Sequence, residues 1–212
     1  MTLHRPFSTL SGICILVVSF LAAPAWAQMD PGIPSLSQDQ VTQLNSGNII
    51  LDVVPGAAPI GDSLGVVNGA PAEVMAIIRD FNSHHEFFGD LAESEITGQD
   101  GDATLCRGIT DTPWPMDDRN WTIRVESSER NLDGLDILIA EWSYVVDSGN
   151  IVNTTGYWLL IPWGADGNQT LLRYRIQVDL GTWLPDFLLT WATEDFLPEK
   201  INALRDRIAT LQ

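Results

Sequence analysis

Cysteine is nearly absent from the sequence: Cys14 and Cys106 are the two in 212 residues. Cys14 falls in a removable N-terminal segment, so Cys106 has no internal partner and no disulfide framework supports the fold. Cys106 lies in the strand-like run 103–109, which predicts a buried, inert thiol. Basic residues are scarce too, 11 against 28 acidic ones, for a formal charge of −17. Such a surface repels phosphate backbones and anionic lipid, which excludes nucleic acid as a partner and allows at most transient membrane contact. The acidic excess itself reads as a solubility device. His84 and His85 are adjacent, and on a helix they diverge by about 100°, so they do not share a metal ion. No Gly-x-Ser-x-Gly elbow, Walker loop or Gly-x-Gly-x-x-Gly turn is present, and no catalytic residue, metal or cofactor follows from motifs. Asp100-Gly101-Asp102 lacks the further acids of a calcium loop and reads as a hairpin turn.

Long apolar runs are missing as well. The run 13–23 is about half of what a membrane span requires. It follows Arg5 and precedes Ala25-Trp26-Ala27, the small-x-small pattern of a secretory signal cleaved before Gln28. The expectation is an exported protein, periplasmic or secreted, with residues 1–27 removed. Loss of Arg5, with no acid alongside it, takes the charge from −17 to −18. The remaining chain suits one domain with a real core. It divides into an N-terminal extension, 28–47, and a domain, 48–212.

The local signals are orderly. Ser37 and Gln40 fit a capping box for a short helix that stops at Gly47. Strands are predicted at 48–54 and 64–68. Pro71 opens a helix carrying the stripe Val74, Ile77, Ile78 and Phe81. A shorter helix, capped by Asn82 or Ser83, runs to Phe88. From residue 91 the period changes to two, giving strands at 92–99, 103–109, 121–127, 135–146, 154–161 and 170–180. Turn sequences such as Asn131-Leu132-Asp133-Gly134 separate them.

The stretch 181–212 is helical by spacing. Leu184, Phe187, Leu188 and Trp191 form one stripe, and Leu197, Ile201, Leu204, Ile208 and Leu211 form another. Six residues separate Trp191 from Leu197, about 240° of helix, so the stripes are out of phase unless the helix bends or restarts. Pro198 marks the place, with Asp195 as cap of a new start. The half 185–191 is the expected mobile lid and 197–211 the fixed clamp. The order of elements is α+β: a curved antiparallel sheet of about six to eight strands wrapped around a long C-terminal helix, with two short helices after an early strand.

Several motifs then line up with one family. Val66-Val67-Asn68-Gly69-Ala70-Pro71-Ala72-Glu73-Val74 resembles the strand-to-helix opening of the START-like, or SRPBCC, helix-grip superfamily. Arg79-Asp80-Phe81 with His84-His85-Glu86-Phe87-Phe88 resembles its second-helix region. Pro113-Trp114-Pro115 through Arg119-Asn120-Trp121 resembles a Pro-x-Pro-x-x-x-Arg-Asp signature, with Asn120 in place of the usual Asp. Gly181-Thr182-Trp183-Leu184-Pro185 resembles the approach to the C-terminal helix, so the resemblance spans roughly 44–208. It implies a cavity between sheet and helix that binds or shuttles a hydrophobic ligand such as a lipid or sterol. It also implies an alternative, since related branches are cyclases or aromatases.

Alternation puts Trp121, Ile123 and Val125 on one face, and likewise Leu172, Tyr174, Ile176 and Val178. Trp142, Tyr144, Trp158, Leu184, Phe187, Leu188 and Trp191 complete the expected apolar lining. On 135–146 both faces are largely apolar, which predicts a central strand and a buried Glu141. A buried carboxylate needs a partner, and Arg107, Arg173 and Arg175 are the candidates. Glu141 is then either a polar end of the cavity that reads a ligand hydroxyl or head group, or a residue of an exposed face or structural ion pair. An enzyme would need a titratable group in the cavity, from His84, His85, Glu141 or Tyr144. Ligand access is expected through the C-terminal helix and the loop 161–164.

Overall fold

The period-two segments become six consecutive strands, with two-residue turns between the third and fourth strands of the chain and between the fifth and sixth, and longer loops at the other links. The computed structural model describes Met29 and residues 31–181 and 185–212. The expected signal segment, Trp183 and Leu184 lie outside the described residues. Helix α1 (Gln38–Asn45) carries the capping box of Ser37 and Gln40, and strand β1 (Ile50–Val54) follows it. Next come β2 (Ile60–Val67), α2 (Pro71–Arg79) and a 3₁₀ turn, Phe81–Glu86. The meander is β3 (Leu91–Asp100), β4 (Ala103–Thr110), β5 (Arg119–Leu132), β6 (Leu135–Tyr144), β7 (Asn153–Trp163) and β8 (Gln169–Asp179). Helices α3 (Asp186–Trp191) and α4 (Leu197–Leu211) close the chain.

All eight strands form one antiparallel sheet in the order β1-β2-β8-β7-β6-β5-β4-β3. The β5–β6 link is a two-residue turn, Asp133-Gly134, with both residues at positive φ. That is the turn geometry whose twist matches a hairpin. Strand β2 begins four residues earlier than expected, because Gly61 and Asp62 hide the apolar alternation while their backbones pair with β8. Strand β5 runs through the polar stretch to Leu132 because β6 pairs with it throughout. Where a second α-helix was expected after α2, the chain makes the tighter 3₁₀ turn.

The C-terminal region corrects one expectation. The helix neither breaks nor restarts at Pro198. Residues Ala192–Phe196 form a single π turn, which continues α3 directly into α4. A π turn inserts a residue into the helix, so it absorbs a phase mismatch without a break. Pro198 falls in the first turn of α4, and no side chain caps that start, so Asp195 is not a cap. Within α3 only Leu188 is buried, whereas α4 buries Leu197, Lys200, Ile201, Ala203, Leu204 and Ile208.

Each face of the sheet carries a buried cluster. Val67, Cys106, Ile123, Trp142, Trp158 and Tyr174 share the concave side with α2 and α4. Leu64, Ile137, Ile139, Tyr157, Leu159 and Leu171 form the outer cluster, covered by Leu44 of α1 with Ile33 and Leu36. Asp62 is buried on the outer side and accepts hydrogen bonds from Arg173 (Nε to Oδ1, 3.0 Å) and Arg175. Cys106 is buried as expected, and burial pushes its thiol up to about 12.

Helix α4 approaches β2 through glycines. A Cβ on Gly61 would meet Leu197 Cδ2 at 2.9 Å, and one on Gly65 would meet Ile201 Cγ2 at 2.5 Å. Both distances lie inside van der Waals contact, so the helix can sit this close only where β2 has no side chain. Gly65→Val should therefore lower unfolding free energy by about 1–3 kcal/mol, as for other overpacked core sites. Urea denaturation checks this; an unchanged midpoint would mean that α4 does not depend on that seat.

Candidate functional site

With α4 pressed onto β2, the rest of the concave face stands away from the helix. The space is a cavity of about 210 Å³ bounded by the concave face of the sheet, the end of α2, the 3₁₀ turn and α3–α4. Of the predicted lining, Trp121, Ile123, Trp142, Trp158, Tyr174, Ile176, Leu188 and Trp191 border it. Two of the tryptophans lie flat across glycines on neighbouring strands. Gly108 pairs with Trp121, and a Cβ there would meet the indole at 2.5 Å. Gly156 pairs with Trp142, with the corresponding distance 2.2 Å. Trp158 and Tyr174 are cross-strand neighbours with ring centroids 4.3 Å apart. The Trp121 indole N–H is satisfied by Thr110 Oγ1 at 3.0 Å, and that of Trp142 by Thr154 Oγ1 at 3.4 Å.

Three predicted residues stand elsewhere. Glu141 lies on the outer face, directly across from Glu126 on β5 and Tyr157 on β7, and pairs with Arg130. It is not buried in the cavity, and its partner is none of the three arginines proposed from sequence. Those three are otherwise engaged: Arg107 with Glu95, and Arg173 and Arg175 with Asp62. Tyr144 ends β6 beyond the lining, its hydroxyl buried without a hydrogen-bond partner among the described residues. Phe187 is 38% exposed, one helical step of about 100° away from inward-facing Leu188. Leu184 lies outside the described residues. The loop 161–164 is at the wrong end to open the cavity. Trp163 is tied there to Asn45 by its indole N–H (2.9 Å), whereas Thr112, Ile151, Val178 and Leu180 mark the opposite, lined end.

A buried ion pair that no sequence signal above singles out also lines the cavity. Lys200 on α4 is 5% exposed and forms an ion pair with Asp90, which precedes β3. Both residues line the cavity. The ammonium sits over the rings of Phe88 (4.7 Å) and Phe196 (4.4 Å). Burial lowers the Lys200 ammonium from its ordinary range, and the Asp90 carboxylate opposes that. Beside it, the Gly89 N–H donates to Glu199 Oε1 at 3.0 Å, a second tie between α4 and the approach to β3. Burial, with a smaller contribution from Asp90, raises the Tyr174 phenol well above its usual value. The signal was legible: Lys200 stands three residues after Leu197 and four before Leu204, on the buried stripe, and it is the only lysine in the sequence.

Of the four titratable candidates, only His84 borders the cavity. His85 Nδ1 instead faces Ser94 Oγ at 3.1 Å. His84 Nε2 lies 3.1 Å from the Ile78 carbonyl and 3.3 Å from that of Ile77, so it is the protonated nitrogen donating to them. Burial drives the His84 pKa down to about 4 against the two carbonyl contacts, and the nearby Lys200 charge lowers it further. The imidazole is therefore neutral at pH 7.

The unfolded chain takes up this proton near pH 6.5, the folded one near 4. His84 thus favours the fold fully above pH 6.5, and that contribution is lost as pH falls toward 4. Urea unfolding of wild type over this range should show a slope up to about 1.4 kcal/mol per pH unit steeper than His84→Gln, whose amide can donate to the same carbonyls. Equal slopes would show that His84 is not held neutral.

With this geometry in hand, the relatives are informative. The family described as polyketide cyclase / dehydrase and lipid transport matches residues 67–205. No curated protein sequence matches the chain. Among solved structures, a STAR-related lipid transfer protein from Xanthomonas axonopodis superposes with TM-score 0.61 at 19% identity, covering 76% of this chain and 92% of its own. Human StAR-related lipid transfer protein 5 gives 0.57 at 14% identity, covering 78% and 83%. The Zhui aromatase/cyclase from Streptomyces gives 0.52 at 15% identity, covering 74% and 93%. At these identities the superpositions establish the helix-grip fold. The family match over residues 67–205 goes further: this chain belongs to the polyketide cyclase / dehydrase and lipid transport family.

Proposed function

We propose that the protein binds and carries a hydrophobic small molecule, a lipid or sterol-like compound, in the cavity between the sheet and the C-terminal helix. The observation that carries this reading is the lining: Trp142 and Trp158 packed on either side against Tyr174, with Leu188 and Trp191 in the same cavity wall and polar groups confined to a few positions. Transfer of an apolar chain into such a site gains about 0.8 kcal/mol per buried methylene. The cavity volume of about 210 Å³ is below the roughly 300–1,000 Å³ usual for ligand pockets. A lipid-sized ligand therefore requires α3 to move outward. Its single buried side chain, Leu188, supports α3 as the lid, against the six buried residues that fix α4.

The alternative is a cyclase, dehydratase or hydrolase acting on a bulky apolar substrate. His84 is the observation in its favour, being neutral and at the cavity wall. The other three candidates stand outside the lining, and His84 Nε2 is committed to two carbonyls. Binding is the better-supported reading.

Organic extraction of purified protein followed by mass spectrometry should yield one class of apolar compound at near-stoichiometric amount. Ile176→Trp places an indole in the cavity and should reduce the extracted compound at least tenfold while the circular dichroism spectrum is kept. An extract without such a compound, or one unaffected by the substitution, contradicts the reading.

Export is part of the same proposal, supported by Arg5, the apolar run 13–23 and Ala25-Trp26-Ala27. N-terminal sequencing of the protein from the native host's envelope or medium should begin at Gln28. An intact Met1 in the cytoplasmic fraction would refute it.

A further inference from the structure

Tryptophan brings a large apolar ring with one polar edge, and a fold with a cavity to line has uses for it. Trp114 is left outside. It is 90% exposed, on the β4–β5 loop between Pro113 and Pro115. Val146 and Val152, 77% and 57% exposed, stand on the β6–β7 loop at the same end of the sheet. Scattered exposed apolar side chains are ordinary, but these three share adjoining loops.

The two loops form one platform. Asn150 joins them: its Nδ2 donates to the Asp118 carbonyl (2.8 Å), and its Oδ1 accepts from the Asn120 N–H (2.9 Å). The Asn150 N–H donates in turn to the Asn120 carbonyl at 3.1 Å. Gly149 lies so close to that carbonyl that a Cβ would come within 1.9 Å of it. Inside the β4–β5 loop, Thr112 Oγ1 donates to the Asp117 carbonyl at 2.6 Å. Prolines on both sides of Trp114 fix φ at their own positions. The indole is thus presented on ordered backbone, which lowers the entropy lost when something covers it. Thr112 and Ile151, one from each loop, also line the cavity, so the platform borders its open end.

Charge selects what docks there. Asp111, Asp117, Asp118 and Asp147 are exposed on these two loops, and neither 111–118 nor 145–152 contains a lysine or arginine. An anionic lipid surface is repelled. At a neutral one the four carboxylates would enter the head-group layer with no fixed cation to hold them. A protein with basic side chains around an apolar slot satisfies both features: the carboxylates steer and orient it, and the indole is the buried anchor.

We propose that the β4–β5 and β6–β7 loops are the docking surface for a basic protein partner, with Trp114 inserted into an apolar slot ringed by lysine or arginine. The partner meets the cavity at its open end. The surface stands whatever the cavity holds, so failure of this proposal leaves the cavity reading intact.

The test replaces Val146 by p-benzoylphenylalanine in the full chain and irradiates the native host. The expected product is a single protease-sensitive adduct whose partner carries net positive charge at neutral pH. Adding Trp114→Ala should cut its yield about tenfold or more. So should Asp111→Lys with Asp117→Lys, whose side chains make no hydrogen bond or ion pair among the described residues. The same photoreactive group at Leu211, exposed at the opposite end of the molecule beside Asn68, should give no adduct. An acidic partner, a yield indifferent to either set of substitutions, an equal adduct from Leu211, or no protein adduct overturns the proposal. Should the lysine variant lose the wild-type circular dichroism spectrum, Asp111→Asn with Asp117→Asn takes its place, with the same loss expected.

Vesicles separate the lipid alternative. Protein purified from the host should not sediment with phosphatidylcholine vesicles, with or without phosphatidylglycerol. Sedimentation that Trp114→Ala abolishes would make this a lipid-docking face and overturn the protein reading.

Discussion

The cavity exists because α4 is held close to the sheet along one side and away from it on the other. Gly61 and Gly65 let Leu197 and Ile201 lie directly on the β2 backbone. At the far edge of the sheet, Glu199 and Lys200 fasten the same helix to Gly89 and Asp90, just before β3. The curved sheet bridges these two anchorages, and α4 touches the strands between them, β8 to β4, far less than it touches β2. Large flat side chains occupy part of that gap. Two of them, Trp121 and Trp142, are laid down by Gly108 and Gly156 instead of standing upright. A valine at either glycine position would raise the indole into the cavity, so floor and roof are both set by where side chains are missing.

The two faces of the sheet separate their charges accordingly. On the outer side Asp62, Arg173 and Arg175 satisfy one another under α1, and Glu141 reaches Arg130. These are structural pairs on a packed or half-exposed surface. On the inner side an acid, a base and an imidazole share an apolar space: Asp90, Lys200 and His84. His84 spends its donor on the chain itself, at the end of α2, and so stabilises the bend into the 3₁₀ turn. Asp90 Oδ2 is buried without a hydrogen-bond partner among the described residues. The polar end of the cavity therefore belongs to the residue before β3, not to the central strand β6.

Much of this was legible in the sequence. The eight strands follow from alternation and from turn sequences, and of the twelve residues expected to line the cavity eight do, six of them on strands and two, Leu188 and Trp191, on the helical stripe. What failed did so for identifiable reasons. Glu141 shares its parity with Ile137 and Ile139, which looked like a cavity face because α1 buries them from outside. Sequence alternation shows that a face is covered but not by what. Phase counting located the irregularity between Trp191 and Leu197 but did not distinguish a broken helix from a π turn. Asp90 was hidden because it pairs across 110 residues, although a lone lysine on an apolar helical stripe was a readable warning. Trp183 and Leu184 lie outside the described residues.

The account as a whole turns on where the ligand sits. Structure determination of the protein with the compound that it carries tests this most directly. The account predicts density for the apolar part between Trp158, Tyr174 and α3, with α3 displaced outward and α4 unmoved on β2. Density on the outer face under α1, or a saturated complex with the cavity unchanged and unfilled, would contradict it.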